Sequence, residues 1–266
     1  MEKIIAKKKF GQNFLKDETI LQKIIQAMPN NDNKIVEIGP GLGDLTKYLV
    51  DVRSVEAFEV DTDLCKVLQK KFEKEIATKQ LHINCGDVLN VWKSELIEES
   101  YDLVANLPYY IATNIILKAL ADPKCKNILV MVQLEVAEKF CANDGDRVFG
   151  SLSIITQSVG DAHIVVKVPP TAFEPQPKID SAVFLIQKKS DRCDEVFESM
   201  LRVAFTQPRK TLMKNLSSLY EKDLLQKAFE KLSLTQTVRP HQVSTDDYHQ
   251  LYKLTRSLDG TRESGN

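Results

Sequence analysis

The sequence has no long apolar run. Its richest stretches, residues 128–132 and 179–186 with polar interruptions, fall far short of the roughly 18 to 20 residues that a membrane-spanning helix requires, so no membrane span is expected. The opening MEKIIAKKKF carries charge but neither an apolar stretch of signal-peptide length nor a small-residue cleavage pattern, and an export signal is not expected either. Cysteine is sparse and lacks paired spacing. Cys65, Cys85, Cys125, Cys141 and Cys193 form an odd set with no CxxC, which argues against a disulfide framework and against a zinc site. Five reduced thiols in a cytoplasmic protein, and no metal, are the expectation. An excess of one charge is missing as well. The 36 Lys and Arg residues nearly balance the 37 Asp and Glu, for a net charge of −1, and taken over the whole chain that balance argues against a nucleic-acid partner. The composition also excludes disordered, collagen-like and low-complexity classes. What is present is a 43% hydrophobic content over 266 residues, enough to build a core in one large domain or in a medium domain plus a small one.

Two textures meet near residues 188–194. Before that point, short β-branched runs at 34–38, 54–60, 81–85, 101–106 and 127–133 alternate with amphipathic helical patterns, which is the pattern of a parallel, doubly wound α/β sheet. The first helix is expected over 17–28. It opens on an Asp17 cap, places Ile20, Leu21, Ile24, Ile25 and Met28 on one face, and ends at Pro29. Runs at 164–168 and 181–187 fit a closing antiparallel hairpin whose long connection carries Pro169, Pro170, Pro175 and Pro177. After about residue 190 the period is helical throughout, at 194–206, 209–219, 222–233 and 245–258. This predicts a small all-α domain of roughly 70 residues with a frayed polar tail over 260–266. There is no internal repeat.

The chemistry gathers at the ends of the expected strands. The first runs into Glu37-Ile38-Gly39-Pro40-Gly41-Leu42-Gly43, where glycines permit positive φ and let a ligand approach the backbone. A dinucleotide site prefers G-x-G-x-x-G for its pyrophosphate. The compact G-x-G-x-G here suits a nucleoside-type cofactor without phosphate, such as S-adenosylmethionine. Glu59 closes the next strand, where an acid can accept both hydroxyls of a ribose, and Asp87 follows the third in Cys85-Gly86-Asp87, placed to accept from an adenine amino group. Each acid alone is more often a solvated strand-end or cap residue than a ligand. Their succession along one sheet edge favours a ligand site. The fourth strand ends in Asn106-Leu107-Pro108-Tyr109. An aromatic amine is a weak nucleophile because its lone pair is delocalised, and carbonyl acceptors that hold it in line with a methyl donor let the nitrogen pyramidalise. Asn106 supplies a side-chain carbonyl. Pro108 fixes the local backbone and biases Leu107 to extended geometry, so that the Leu107 carbonyl can be presented to the substrate, and Asn106 and the Pro108 carbonyl are expected to bind the pyramidal nitrogen. Tyr109 offers a π-face to a base taken out of its stack.

With these residues assembled, the chain resembles the KsgA/RsmA family of small-subunit ribosomal RNA adenine dimethyltransferases over nearly its whole length. FGQNFL (10–15), VEIGPGLGDLT (36–46), Glu59, Gly86-Asp87 and NLPY (106–109) are similar to the family's early motifs. FEPQPKIDSAV (173–183), FTQPRKTLMKNL (205–216) and RPHQVS (239–244) are similar to its later ones. The resemblance implies a Rossmann-like S-adenosylmethionine-dependent methyltransferase sheet over residues 1–190, with a basic N-terminal segment at 1–16, followed by a helical rRNA-docking domain over 191–266. The implied cofactor contacts are Asn13, Leu15, Gly39, Gly41, Glu59, Asp87 and Asn106, with S-adenosylhomocysteine as product and no metal. The catalytic set is Asn106, Pro108, Tyr109 and Phe173. The role of Phe173 as a second aromatic face beside the flipped adenine comes from the resemblance alone. The implied reaction dimethylates two adjacent adenosines in the 3′-terminal hairpin loop of 16S rRNA, within the small ribosomal subunit, by a monomer. The chain departs from the family at Leu134 in Gln133-Leu134-Glu135-Val136, at Pro208 in Gln207-Pro208-Arg209-Lys210 and at Tyr110-Ile111-Ala112 after NLPY. The first two each replace a basic residue.

Local charge answers the whole-chain balance. Five lysines against one glutamate give residues 1–16 a net charge of +4, and Arg202, Arg209, Lys210 and Lys214 give 202–216 another +4 with no acid between them. Such runs are commonly solvated helix faces. Beside a base-flipping site they suit phosphate contacts, with Lys7, Lys8, Lys9, Arg209, Lys210 and Lys214 as the expected RNA-binding residues. The competing readings are a 23S rRNA adenine methyltransferase, a non-catalytic RNA-binding assembly factor and a nicotinamide oxidoreductase. The glycine spacing disfavours the last, the intact NLPY set the second, and the C-terminal blocks the first.

Overall fold

The computed structural model describes residues 12–190 and 194–263, with the backbone alone over 258–263. The chain runs β1 (Phe14–Leu15), α1 (Glu18–Ala27), β2 (Lys34–Ile38), α2 (Thr46–Val52), β3 (Val55–Glu59), α3 (Thr62–Lys71), α4 (Glu73–Ala77), β4 (Leu81–Cys85), α5 (Val88–Val91), β5 (Tyr101–Asn106), α6 (Ala112–Ala121), β6 (Cys125–Gln133), α7 (Leu134–Cys141), α8 (Ser151–Val159), β7 (Gly160–Val168), β8 (Phe173–Glu174), β9 (Ser181–Lys188), α9 (Glu195–Ala204), α10 (Leu212–Leu216), α11 (Lys222–Lys231) and α12 (Thr245–Glu263). It divides into two compact units, residues 1–138 with 160–191, and residues 139–159 with 192–266.

The first unit is built on a seven-stranded sheet in the order β4-β3-β2-β5-β6-β9-β7. Strands β2 to β6 are mutually parallel, and β9 runs antiparallel to both β6 and β7. Both faces of β5 and β6 are covered, so these strands read as continuous apolar runs rather than alternating ones. The expected α/β class and closing hairpin are present. Between β2 and β5 the strand order reverses, and open α/β sheets bind ligands at the carboxyl ends of the strands at such a switch. Ahead of the sheet, Asp17 caps α1 by accepting from Thr19 N and Ile20 N at 2.9 and 3.2 Å. The helix buries Ile20, Leu21 and Ile24, and Met28 turns extended before Pro29.

One buried carboxylate anchors the opposite end of the strand that carries Asn106. Asp122 is fully buried. Its Oδ2 accepts from Trp92 Nε1 at 3.0 Å, Leu96 N at 2.9 Å and Tyr101 Oη at 2.8 Å, and its Oδ1 accepts from Lys124 N at 2.8 Å. The start of β5, the end of α6 and the 92–96 loop therefore share one acceptor.

Two features differ from the sequence reading. Cys65 on α3 and Cys85 at the end of β4 form a disulfide, with Cα atoms 6.2 Å apart, which corrects the expectation of five reduced thiols. The pairing has no short-range spacing because it joins a helix to the strand that follows it. Cys125 and Cys141 are free, and Cys193 lies outside the described residues. The connection between β7 and β9 also holds a strand, β8, which pairs antiparallel with β1 through Phe14↔Glu174 and Leu15↔Phe173.

The second unit is helical among its described residues and takes in 139–159 as well as the C-terminal segment. Asp194 caps α9 by accepting from Phe197 N at 2.7 Å and also accepts from Tyr252 Oη at 2.7 Å. His249 stacks on Phe197 with centroids 4.3 Å apart and lies 2.7 Å from Ser158 Oγ. Helix α10 is shorter than the periodicity over 209–219 suggests. Thr211 caps it, and Asn215 Nδ2 donates to Ala204 O at 2.6 Å and Gln207 O at 3.2 Å, fixing the preceding residues as a turn.

Asp122→Ala leaves four donors without their acceptor, two of them backbone N–H groups. The expected loss is about 3 kcal/mol or more of stability, read from the urea midpoint; a midpoint that matches wild type would remove Asp122 as the anchor of β5.

Candidate active site

At the switch between β2 and β5 the strand ends open onto a cleft of about 720 Å³ of non-protein space, lined among others by Asn13, Leu15, Gly39, Glu59, Asn106 and Tyr109. An adjoining depression shares Gly39, Val60 and Pro108 with it and extends to Gly86, Asp87 and Tyr110. Together they follow the edge formed by β2, β3, β4 and β5. The ladder continues past the strand ends through Gly39 N donating to Phe58 O at 2.9 Å and Gly86 N to Glu59 O at 2.8 Å, which holds the Gly39, Glu59 and Asp87 positions side by side.

Two buried carboxylates shape the glycine loop. Glu59 is 3% exposed, and its Oε2 accepts from Gly41 N at 3.0 Å while Oε1 accepts from Asp61 N at 2.9 Å. Burial raises its pKa; the backbone donors of Asp61 and Gly41 oppose that shift, and the Asp61 charge adds to it. Glu37, 1% exposed, accepts from Thr46 Oγ1 at 2.7 Å and so ties the end of β2 to the start of α2 across the loop. Burial pushes its carboxyl up to about 8, against the Thr46 hydrogen bond and with the Glu59 charge. Within the loop Gly41 has φ +62°, and a Cβ there would sit 3.1 Å from the Phe14 ring. Gly43 has φ +75°, and its Cβ would lie 2.5 Å from Phe72. Positive φ disfavours a side chain at both positions; space is tight at Gly41, and at Gly43 a side chain would force Phe72 to move.

The segment before α1 closes over this loop. Besides the β1–β8 pairing, Lys16 N donates to Ala172 O at 2.8 Å, Lys16 Nζ pairs with Asp44 Oδ2 at 2.6 Å, and Gln12 Nε2 donates to Asp61 Oδ2 at 3.2 Å. Its backbone reaches the end of β5, where Asn106 Nδ2 donates to Asn13 O at 3.1 Å. With its N–H committed there, Asn106 presents Oδ1 as the acceptor of the pair. The Pro108 carbonyl accepts from Ile111 N at 3.2 Å, closing the turn into α6. That bond engages one lone pair of the Pro108 carbonyl, the acceptor expected beside Asn106, which favours the Leu107 carbonyl for a substrate amine. Tyr109 is half-buried, with its hydroxyl 2.7 Å from Ser181 Oγ.

The geometry brings together Asn13, Leu15, Gly39, Gly41, Glu59, Asn106, Pro108 and Tyr109 in the main cleft and Asp87 in its extension. Asp87 also serves as a cap, accepting from Leu89 N at 2.9 Å. Phe173 is not brought to the cleft. It is 3% exposed and packs in the cluster that includes Leu15, Leu21 and Val168. Lys7, Lys8 and Lys9 lie outside the described residues, and Arg209, Lys210 and Lys214 are exposed in the second unit. Sequence reasoning missed Gln12, Phe14, Asp44 and Tyr110 as lining residues, although each adjoins a motif it had marked. Among the described residues no three His, Cys, Asp or Glu side chains converge as a metal-binding group, and no helix is long and apolar enough to cross a membrane.

The cleft fits S-adenosylmethionine. It combines a glycine turn at positive φ, a buried carboxyl at the end of β3 and an exposed acid just after β4, and it has no phosphate-spaced loop.

A family model described as ribosomal RNA adenine dimethylase matches residues 4–257. A protein of Sulfurimonas denitrificans named ribosomal RNA small subunit methyltransferase A is 88% identical over 263 residues, covering 99% of this chain and 98% of the relative. A protein of the same name from Aliarcobacter butzleri is 51% identical over 261 residues, covering 97% and 98%. Among solved structures, the 23S rRNA methyltransferase ErmE aligns with a TM-score of 0.72 at 25% identity, covering 92% of this chain and 100% of that one. A dimethyladenosine transferase from Plasmodium falciparum aligns at 0.78 with 24% identity, covering 92% and 98%, a likeness of fold.

Glu37 makes stability depend on pH. The folded chain keeps its proton up to about 8, whereas the unfolded carboxyl releases it near 4.5. Between these values the folded state holds one proton more, so stability falls as pH rises through the window, by about 1.4 kcal/mol per pH unit. Glu37→Gln removes the proton and keeps an acceptor for Thr46. Urea midpoints at pH 5.5 and 7.5 should fall less for the variant than for wild type; equal falls would mean that Glu37 is ionised in the fold.

Proposed function

The chain belongs to the ribosomal RNA adenine dimethylase family, and from that membership we propose that it transfers methyl groups from S-adenosylmethionine to the exocyclic amino groups of two adjacent adenosines in the 3′-terminal hairpin loop of 16S rRNA. The reaction would take place in the cytoplasm during assembly of the small ribosomal subunit, with the protein acting as a monomer. The observation that carries the reading is the end of β5, where Asn106 faces the cleft with its amide nitrogen already bonded and Leu107 and Tyr109 stand beside it.

When bound, S-adenosylmethionine would supply an electrophilic methyl on a sulfonium whose departure leaves a neutral thioether. Glu59 and Asp87 would hold its ribose and base, and the Gly39–Gly41 backbone and the Asn13–Leu15 segment would hold its amino-acid end. Asn106 Oδ1 and the Leu107 carbonyl accept from the target amine and draw its lone pair out of conjugation. Because the nitrogen gains positive charge as the new bond forms, both acceptors hold the transition state more tightly than the ground state. Tyr109 offers its ring to the extruded base. Most of the acceleration is positioning, worth several kcal/mol when reacting atoms are held near contact. No strong base is required, since an alkylated aromatic amine is a strong acid and gives its proton to water. Pro108 sets the backbone of the turn and lines the cleft. In the second unit, Arg209, Lys210 and Lys214 would meet phosphates.

The likeness to ErmE does not make 23S rRNA the better reading, because the relatives at 88% and 51% identity carry the small-subunit name.

Small subunits lacking the modification, incubated with deuterated S-adenosylmethionine and analysed by mass spectrometry, should gain label on two neighbouring adenosines near the 3′ end of 16S rRNA. Asn106→Ala should lose at least about a hundredfold in rate, the combined loss of an acceptor and of alignment, with particle binding kept. Near-normal transfer by that variant would sink the mechanism. Reversing charge at Arg209, Lys210 and Lys214 should lower the salt slope of RNA binding by about 0.7 to 0.9 per contact removed, and an unaltered slope would remove them from the interface.

A further inference from the structure

We propose that Ser181 is a positioning residue for methyl transfer, holding the Tyr109 ring in the orientation that receives the target adenine. The inference rests on the activity proposed above and gives a role to a residue of the FEPQPKIDSAV block that the resemblance left without one.

Ser181 opens β9 and is fully buried. Its backbone is paired on both sides, with Gln133 of β6 and Val168 of β7, and Leu134 N donates to the neighbouring Asp180 O at 3.0 Å. The position of its Cβ is therefore set by the sheet. The next five residues, Ala182 to Ile186, are all apolar and buried. A hydroxyl at the head of this run costs stability unless it is bonded, and its partner is Tyr109 Oη, 2.7 Å away.

Tyr109 needs such a partner. It sits in the turn between β5 and α6, is half-buried, and borders the cleft opposite Gly39 and Asn106. A tyrosine whose ring is only half enclosed keeps freedom about both side-chain torsions. Tying the hydroxyl to a sheet-fixed Oγ fixes the far end of the ring, while the backbone of the turn fixes the near end. The ring is then held at one tilt where it lines the cleft together with Asn106. Stacking restrains the base only if the platform is itself restrained, because an adenine that tilts with its platform carries the amine off the line of attack. Burial raises the Tyr109 phenol and the Ser181 hydrogen bond opposes that shift, so the contact is between two neutral hydroxyls. Its effect is geometric rather than ionic.

The role predicts a particular split. Single-turnover transfer to unmodified small subunits is measured for wild type, Ser181→Ala, Tyr109→Phe and the double variant. Each single variant should lose roughly tenfold in rate, with KM for the particle and calorimetric affinity for S-adenosylmethionine unchanged. Both remove the same hydrogen bond, so the double variant should lose no more than either single one. Losses that multiply, or a Ser181→Ala enzyme at the wild-type rate, overturn the role. If Ser181→Ala melts early, Ser181→Cys keeps the volume with a weak donor; at native melting temperature it should show the same rate loss, and full activity overturns the role. Wild-type protein that methylates no adenosine overturns the proposed function together with this role, whereas active wild type with an unimpaired Ser181→Ala overturns the role alone.

Discussion

The bond from Gly41 N to the Glu59 carboxylate holds the ligand edge of the sheet in shape. It spans the end of β3 and the turn after β2, and it asks for a carboxylate at 3% exposure beside a second one, Glu37, at 1%. Two acids buried this close repel and are both poorly solvated, which is why burial raises both pKa values. The arrangement persists because every oxygen aimed at the loop has a donor. Gly41 and Asp61 supply backbone N–H groups to one acid, and Thr46 supplies a hydroxyl to the other. Glu37, pushed up to about 8, keeps its proton near neutrality, while the backbone donors of Asp61 and Gly41 favour the charged form of Glu59 against the burial that raises it. The loop is consequently held at positive φ, with the Glu59 carboxyl already oriented by its two backbone donors. Holding that geometry in the free protein lowers the ordering cost of binding.

How much of this was legible in the sequence follows from the range of each interaction. The parallel strands were readable because burial on both faces leaves short β-branched runs between helices, and the observed strands β2, β4 and β5 match the expected 34–38, 81–85 and 101–106. Gly39, Glu59, Asp87 and Asn106 were readable because each ends a strand. The β1–β8 pair was not, since a two-residue strand has no period and its partner lies more than 150 residues away. The Cys65–Cys85 pairing escaped for a similar reason, being set by how α3 returns beside β4 and not by any local motif. Residues 139–159 read as part of the α/β texture, yet they group by contact with the C-terminal helices. The 209–219 helix was overestimated because Leu212, Leu216 and Leu219 keep a helical spacing through a turn that Asn215 and Thr211 cut short.

The whole-chain charge misled for a related reason. A net charge of −1 averages over segments that differ by several charges, and Arg209, Lys210 and Lys214 stand exposed on one turn and the short helix after it, with no acid between them in the sequence. Phosphate affinity depends on the cations within a Debye length of the backbone, about 8 Å at physiological salt. Acids elsewhere in the chain shift the total without shifting that contact.

The choice of an amide at position 106 also has a physical cause. A carboxylate there would attract a nitrogen that turns positive more strongly than a neutral amide does. Yet the Asn13 carbonyl lies 3.1 Å from the Asn106 side chain, and an ionised acid facing a carbonyl oxygen at that distance has no donor to offer and meets a repulsive dipole. The amide resolves both demands with one group. Its Nδ2 satisfies the closing segment, and its Oδ1 is forced toward the cleft. The segment at Asn13 thereby also fixes which end of Asn106 faces the cleft, so one hydrogen bond both ties that segment to β5 and orients the amide. Without the Asn13 contact the amide would be free to rotate and to turn its N–H groups, which cannot accept a hydrogen bond, toward the cleft.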